Sequence, residues 1–317
     1  MSKHLVLWLF AGVLVAVIAS ASGHAETRRL RIAYAAANLA WSFQAYIARE
    51  AQDAGELASV DILLMDGSGN SSKQSSDLEN ALLQGVDGIV LNANDVDAIV
   101  PAVNEVIESG IPIVTIDGSV RGAAKPVPHY GPDNVAGGIK MAQYVIEHFP
   151  DGATIVFLEG QLGTGPALDR ARGVHETLEK AGEKYKLLAD QPANWARLQG
   201  LTVMQNILTY LGKPPDVILC ANDDMALGAL RALLEAEVPK GKVMVIGFDA
   251  IPEALAAIRD GSMAATVDQL PGEQVKNAIE AITGYLRDRR PLQAMKLDPL
   301  LIDRSNLQLA GRFKEMN

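Results

Sequence analysis

The chain contains a single cysteine, Cys220, so an internal disulfide is excluded. It lies in the apolar run Val217-Ile218-Leu219-Cys220, where an inert buried thiol is expected. Of the five histidines only His129, His148 and His175 lie beyond the N-terminal region. None falls in an HExxH pattern, and without paired cysteines no metal site is expected. A GxSxG nucleophile elbow is missing. The first strand-like run ends in Ala35-Ala36-Ala37-Asn38, where a dinucleotide enzyme carries GxGxxG, so no cofactor is expected. Clustered positive charge is lacking as well. Lys and Arg number 28 against 38 Asp and Glu, a net charge of −10, which argues against a nucleic-acid partner. Low-complexity tracts and short repeats are absent.

The N-terminus does carry a pattern. Lys3 and His4 precede an apolar run from Leu5 to Ala19, and Gly23-His24-Ala25 offers a small-x-Ala cleavage site. That order of charged, apolar and small segments is the order of a secretory signal peptide, read here as residues 1–25, with cleavage after Ala21 as the second choice. The run falls short of the roughly 20 residues needed to span a bilayer, so cleavage is expected rather than anchoring. Cleavage after Ala25 removes Lys3 and no acid, moving the charge from −10 to −11. With no cysteine following the signal for a lipid anchor, the expected location is the periplasm. The remaining chain of about 290 residues exceeds one ordinary domain, which favours two lobes.

Beyond the signal, short β-branched apolar runs alternate with helical patterns. Candidate strands are Leu30–Ala35, Val60–Met65, Gly88–Leu91 and Ile111–Ile116, followed by Thr154–Leu158, Tyr185–Ala189, Val217–Cys220, Val243–Phe248 and Ala264–Val267. Helical spacing runs through Val135, Ile139, Ala142, Val145 and Ile146, and again through Val275, Ala278, Ile279, Ile282 and Leu286. Strands apolar throughout and separated by helices predict an α/β fold with parallel sheets covered on both faces. Lys125-Pro126-Val127-Pro128 breaks the series, with four βα units before it and about five after. The predicted organisation is two similar lobes, 26–131 plus 271–298 and 132–270 plus 299–317.

In open α/β sheets, ligands bind beyond the carboxyl ends of the strands. Trp41, Phe43 and Gln44 follow the first strand, Asn92 the third and Asp117 the fourth. Arg170 lies past a glycine-containing loop after the fifth, Trp195 follows the sixth, Asn222 the seventh, Asp249 the eighth, and Gln269 the ninth. Amides and carboxylates pair with adjacent hydroxyls, and aromatic faces cover the C–H faces of a sugar ring, so this set suits a neutral polyol. Each residue also has a plainer role. Asp249, Asp133 and Asn134 are placed to cap helices, Trp195 and Phe43 to act as staples or core, and Arg170 to be solvated on a helix. Gly160, Gly163 and Gly165 are wrongly spaced for a phosphate cradle. Asp66-Gly67-Ser68-Gly69-Asn70 lacks the glycine of a calcium loop and reads as a cap for the Ser71–Gln84 helix.

Longer motifs carry a resemblance. Gln191-Pro192, Gly200-Leu201-Thr202-Val203-Met204-Gln205-Asn206 and the run from Asn222-Asp223-Asp224-Met225 to Arg231-Ala232-Leu233 strongly resemble the periplasmic ribose-binding proteins. So do Gly247-Phe248-Asp249, Ala264-Ala265-Thr266, Gln269-Leu270-Pro271 and Asp133-Asn134-Val135-Ala136-Gly137-Gly138. The resemblance covers the mature chain. It implies the type I periplasmic-binding fold, two Rossmann-like lobes joined by a three-crossover hinge. It also implies a monomer that closes over a monosaccharide or polyol and delivers it to an inner-membrane ABC permease. By matching motif it assigns ligand contact to Phe43, Asn92, Asp117, Arg170, Trp195, Asn222, Phe248, Asp249 and Gln269.

The N-terminal lobe departs from that pattern. Trp41-Ser42-Phe43-Gln44 stands where the ribose family has Asn-Pro-Phe-Phe, and Asp117-Gly118 replaces its Asp-Arg pair, so a ligand other than ribose is expected. A regulator of the lac-repressor type would need an N-terminal helix-turn-helix in place of the signal. A sugar or furanosyl-signal sensor for a chemoreceptor or histidine kinase shares the pocket logic and stays open at this point.

Overall fold

A computed structural model describes residues 28–316; the expected signal peptide lies outside the described residues. Strand β1 (Leu30–Ala36) shows how one sequence serves two layers. Ile32, Tyr34 and Ala36 point to one face of the sheet, while Ala33 and Ala35 point to the other. Helices α1 (Ser42–Leu57) and α9 (Pro271–Asp288) cover the first face. Helices α2 (Ser71–Leu83) and α3 (Val100–Ser109) cover the second. With β2 (Val60–Asp66), β3 (Gly88–Leu91) and β4 (Ile113–Thr115), β1 forms a parallel sheet in the order β2-β1-β3-β4. Asn70 caps α2, accepting from the Lys73 backbone N–H at 2.9 Å, as the polar-loop reading expects.

The second sheet is built from β6 (Ala153–Glu159), β7 (Tyr185–Pro192), β8 (Val217–Cys220), β9 (Met244–Ile246), β10 (Ala265–Asp268) and β12 (Leu300–Asp303). Its order is β12-β10-β9-β8-β6-β7, parallel except for the antiparallel β12. Helices α4 (Asn134–His148), α5 (Gly165–Ala181), α6 (Arg197–Leu211), α7 (Asp223–Glu235) and α8 (Pro252–Asp260) complete this lobe. Between the sheets, β5 (Tyr130–Pro132) pairs with β11 (Met295–Leu297). The chain passes from one sheet to the other three times: between β4 and α4, between β10 and α9, and between β11 and β12.

All nine expected strands form, with two trimmed and Ala264–Val267 shifted by one residue to Ala265–Asp268. Ile111–Ile116 becomes Ile113–Thr115 and Val243–Phe248 becomes Met244–Ile246. Each ladder stops just before an aspartate in positive-φ backbone, Asp117 at +49° and Asp249 at +113°. In both sheets the strand order reverses, at β1/β3 and at β6/β8, and the crevice beyond those strand ends is where such folds hold ligands.

Candidate functional site

The carboxyl ends of the two sheets face each other across a cavity. Ten of the eleven residues expected at the site line it, five from each lobe: Trp41, Phe43, Gln44, Asn92 and Asp117, opposite Arg170, Trp195, Asn222, Asp249 and Gln269. The lobes meet at its rim, where Val96 N–H donates to the Gly163 carbonyl at 3.1 Å and the Gln161 amide donates to Asn94 Oδ1 at 3.3 Å.

On the N-terminal side, helix α1 begins at the mouth and presents Phe43 and Gln44 in its first turn, both buried. Gln44 Nε2 donates to Asp117 Oδ2 at 3.0 Å. Asn92 Nδ2 donates to Gln44 Oε1 at 2.8 Å and to Asp117 Oδ2 at 3.0 Å. Asn92 Oδ1 accepts from the Gly118 N–H at 3.0 Å. The three side chains thus close on one another and leave one atom over: Asp117 Oδ1 is buried and has no hydrogen-bond partner. Burial raises the Asp117 carboxyl above the usual carboxylate range, opposed by the charge of Arg170. Gly118 is tightly held. A Cβ there would run into the Ala93 carbonyl oxygen and lie 2.7 Å from Asn92 Oδ1, so this backbone leaves no room for the arginine of the ribose-family pattern.

On the C-terminal side, Arg170 is 2 % exposed. Its Nε donates to Asn134 Oδ1 at 2.9 Å and its Nη1 to the Ala221 carbonyl at 2.6 Å. Its guanidinium lies 3.6 Å over the Phe248 ring and 5.5 Å from that of Trp195, which fixes a desolvated cation between aromatic faces. Asp249 Oδ1 lies 3.8 Å from Nη1 and accepts from Gln269 Nε2 at 2.5 Å. Burial pushes the Asp249 carboxyl well up and the Arg170 guanidinium down, while each charge partly restores the other. Asn222 caps α7, accepting from Met225 N–H at 2.9 Å, and its amide donates to the Trp195 carbonyl at 3.2 Å. The Trp195 ring fits against Gly160, where a Cβ would collide with the indole.

A bridge joins the walls. Gln274 on α9 accepts from the Asp117 N–H at 3.1 Å and donates to the Gln269 carbonyl at 2.8 Å, linking one cleft acid to the partner of the other. Asp117, Trp195 (φ +65°) and Asp249 all sit in backbone that non-glycine residues rarely adopt, the kind of strain that clusters where side chains are aimed at a ligand.

Phe248 departs from the expected placement. It is fully buried beneath Arg170 and does not line the cavity, so its contact is with the arginine. The cap roles divide. Asp133 caps α4, accepting from Ala136 N–H at 3.0 Å, whereas Asp249 leaves α8 without a side-chain cap and Asn134 holds Arg170. Sequence reasoning missed Ala37, Ala93, Thr164 and Pro166 in the lining. Thr164 and Pro166 border the glycine loop after β6, whose glycine spacing gives no hint of a sugar site, and the two alanines carry no side-chain signal. The lining offers hydrogen bonds, one fixed cation and stacking faces.

Residues 32–290 match the periplasmic binding protein domain family. The ribose import binding protein of Escherichia coli (strain K12) is 34 % identical over 256 residues, 80 % of this chain and 83 % of that protein. The Caulobacter myo-inositol binding protein, solved bound to myo-inositol, aligns with a TM-score of 0.88 at 40 % identity, covering 91 % of this chain and 97 % of that one. An ABC transporter periplasmic solute binding protein from Actinobacillus succinogenes, solved with bound D-allose, aligns with a TM-score of 0.81 at 28 % identity, covering 88 % and 99 %.

Proposed function

The chain belongs to the periplasmic binding protein family, and from that premise we propose that it is the solute-binding component of an ABC importer whose ligand is a cyclic polyol of the myo-inositol kind. The observation that carries this reading is the N-terminal wall. Gly118 is locked against Asn92 and Ala93, and the Gln44–Asn92–Asp117 net fills the place of a charged donor with amides. A cyclitol has an apolar C–H face on each side and hydroxyls around its whole edge. Trp195 and Phe43, from opposite lobes, would stack on the faces. Asp117 Oδ1 and Asp249 would accept from edge hydroxyls, and the remaining Arg170 amino group would donate. The solved relative with bound myo-inositol supports the same ligand class.

Capture works by hinge closure in this reading, with lobes 26–131 plus 271–298 and 132–270 plus 299–317 moving as bodies about the three crossovers. The protein is exported by a signal peptide cleaved after Ala25, acts as a monomer, and delivers its ligand to an inner-membrane permease. Among the described residues no helix is long and apolar enough to cross a membrane. A thermal-shift panel of pentoses, hexoses, alditols and inositols tests the ligand class. A ligand at 100 times its Kd adds about 2.7 kcal/mol of stability. Stabilisation by inositols above all others is the expected result; stabilisation by ribose alone would reject the assignment.

A further inference from the structure

Outside the cleft, a second cluster of polar side chains gathers in the C-terminal lobe. Glu159 ends β6, Asp190 lies on the neighbouring edge strand β7, and His175 comes from α5, its ring edge-on to Phe157 at a centroid distance of 5.9 Å. One donor atom from each of the three lies within 4.8 Å of the other two. A tetrahedral ion with bonds of about 2.0–2.2 Å holds its ligand atoms about 3.4 Å apart, so small side-chain rotations suffice to enclose one. His175 Nε2 forms an ion pair with Asp190 Oδ2 at 2.7 Å, and that carboxylate holds the imidazole pKa above its usual value, a pairing a metal ion would replace. Asp190 Oδ1 is buried without a hydrogen-bond partner. Neither carboxylate pairs with a lysine or arginine among the described residues. Burial and then the charge of Asp190 raise the Glu159 carboxyl, the crowding a cation would relieve.

We propose that Glu159, His175 and Asp190 form a divalent transition-metal site, suited to Zn²⁺, with water completing the coordination. The imidazole sets the preference, because Ca²⁺ and Mg²⁺ take oxygen ligands and an N/O set with one histidine favours zinc. The three ligands come from three elements, so no sequence spacing announces them. An ion there ties α5 to β6 and to the edge strand β7. It also braces the backbone leading to Trp195, since the Glu159 carbonyl accepts from Ala193 N–H at 2.9 Å.

The test uses tag-free protein stripped with EDTA, followed by thermal unfolding and calorimetric titration with ZnCl₂, and with CaCl₂ and MgCl₂ as comparators. One equivalent of Zn²⁺ should bind and raise the unfolding midpoint, while Ca²⁺ and Mg²⁺ leave it unchanged. His175→Ala and Asp190→Asn should each weaken Zn²⁺ binding by roughly 10–100-fold, and His148→Ala should leave it intact. Because a variant can fail to fold, Co²⁺ added to the unaltered protein gives a second readout, a visible d–d absorption abolished by competing Zn²⁺. No heat and no midpoint shift with Zn²⁺, undiminished binding in a folded His175→Ala protein, or a Co²⁺ spectrum indistinguishable from the free ion would each overturn the proposal.

Discussion

The two walls of the cleft satisfy their polar groups in different ways. On the C-terminal wall a buried cation is pinned by Asn134 and the Ala221 carbonyl, laid on Phe248, and set 3.8 Å from the carboxylate of Asp249. On the N-terminal wall Gln44, Asn92 and Asp117 bond to one another and leave a single buried carboxylate oxygen unpaired. The first wall keeps the ribose-family motifs and the second departs from them. Under the proposed function this difference is a division of labour: a charged, stacked wall that grips any polyol, and an amide wall that decides which one.

The sharpest way to break this comparison is to remove the pinned cation. Arg170→Ala leaves Asp249 and Asp117 buried without their counter-charge, and losing one member of a buried charged set costs about 3–5 kcal/mol. Titration calorimetry should therefore show binding weakened by more than about a hundredfold for every ligand the protein accepts. A selective loss for one ligand would contradict the general-grip role. Trp195→Ala should follow at roughly 2–4 kcal/mol, in the range of a buried aromatic anchor, again without changing the ligand ranking. Less than a threefold change in Kd would reject the stacking role.

The N-terminal wall should behave otherwise. Gln44→Ala removes one donor from Asp117 and one of the two acceptors of the Asn92 amide, at about 1–3 kcal/mol. Its effect should fall mainly on discrimination, narrowing the gap between myo-inositol and ribose. Equal losses for both would dissolve the proposed division between the walls.

The smallest effect concerns His129, at the first crossover. Burial holds its pKa down at about 4 against 6.5 for the free side chain, with Thr115 Oγ1 3.0 Å from Nδ1. Between those values the unfolded chain binds the proton and the folded chain does not, so stability falls as pH drops from 6.5 towards 4. Unfolding midpoints across that window should decline less steeply for His129→Gln. An unaltered slope would show that other groups carry the acid sensitivity.

Much of this architecture was legible in the residues. Apolar runs such as Gly88–Leu91 and Val217–Cys220 are buried along their whole length, so their strand character needed no partner to be read. The segment from Pro291 to Leu301, whose sequence carries neither helical nor strand periodicity, holds β11 and the start of β12. β11 is only three residues long and largely exposed, and it pairs with β5, a segment far away in the chain. At the site, strand-end position found the cleft residues because the parallel fold converts it directly into proximity. Phe248 could not be placed so simply. Whether an aromatic beside an aspartate faces the ligand or supports an arginine depends on packing across α4 and α5. The cluster of Glu159, His175 and Asp190 was hidden for the same reason, since sheet register and helix packing make it adjacent.

The central claim is that the amide wall selects a cyclic polyol over ribose, and competitive calorimetry on the intact protein tests it most directly. myo-Inositol should bind with submicromolar Kd, and D-ribose should bind at least about a hundredfold more weakly, the margin expected when buried polar groups are left unpaired. Submicromolar binding of D-ribose that displaces myo-inositol would contradict the account.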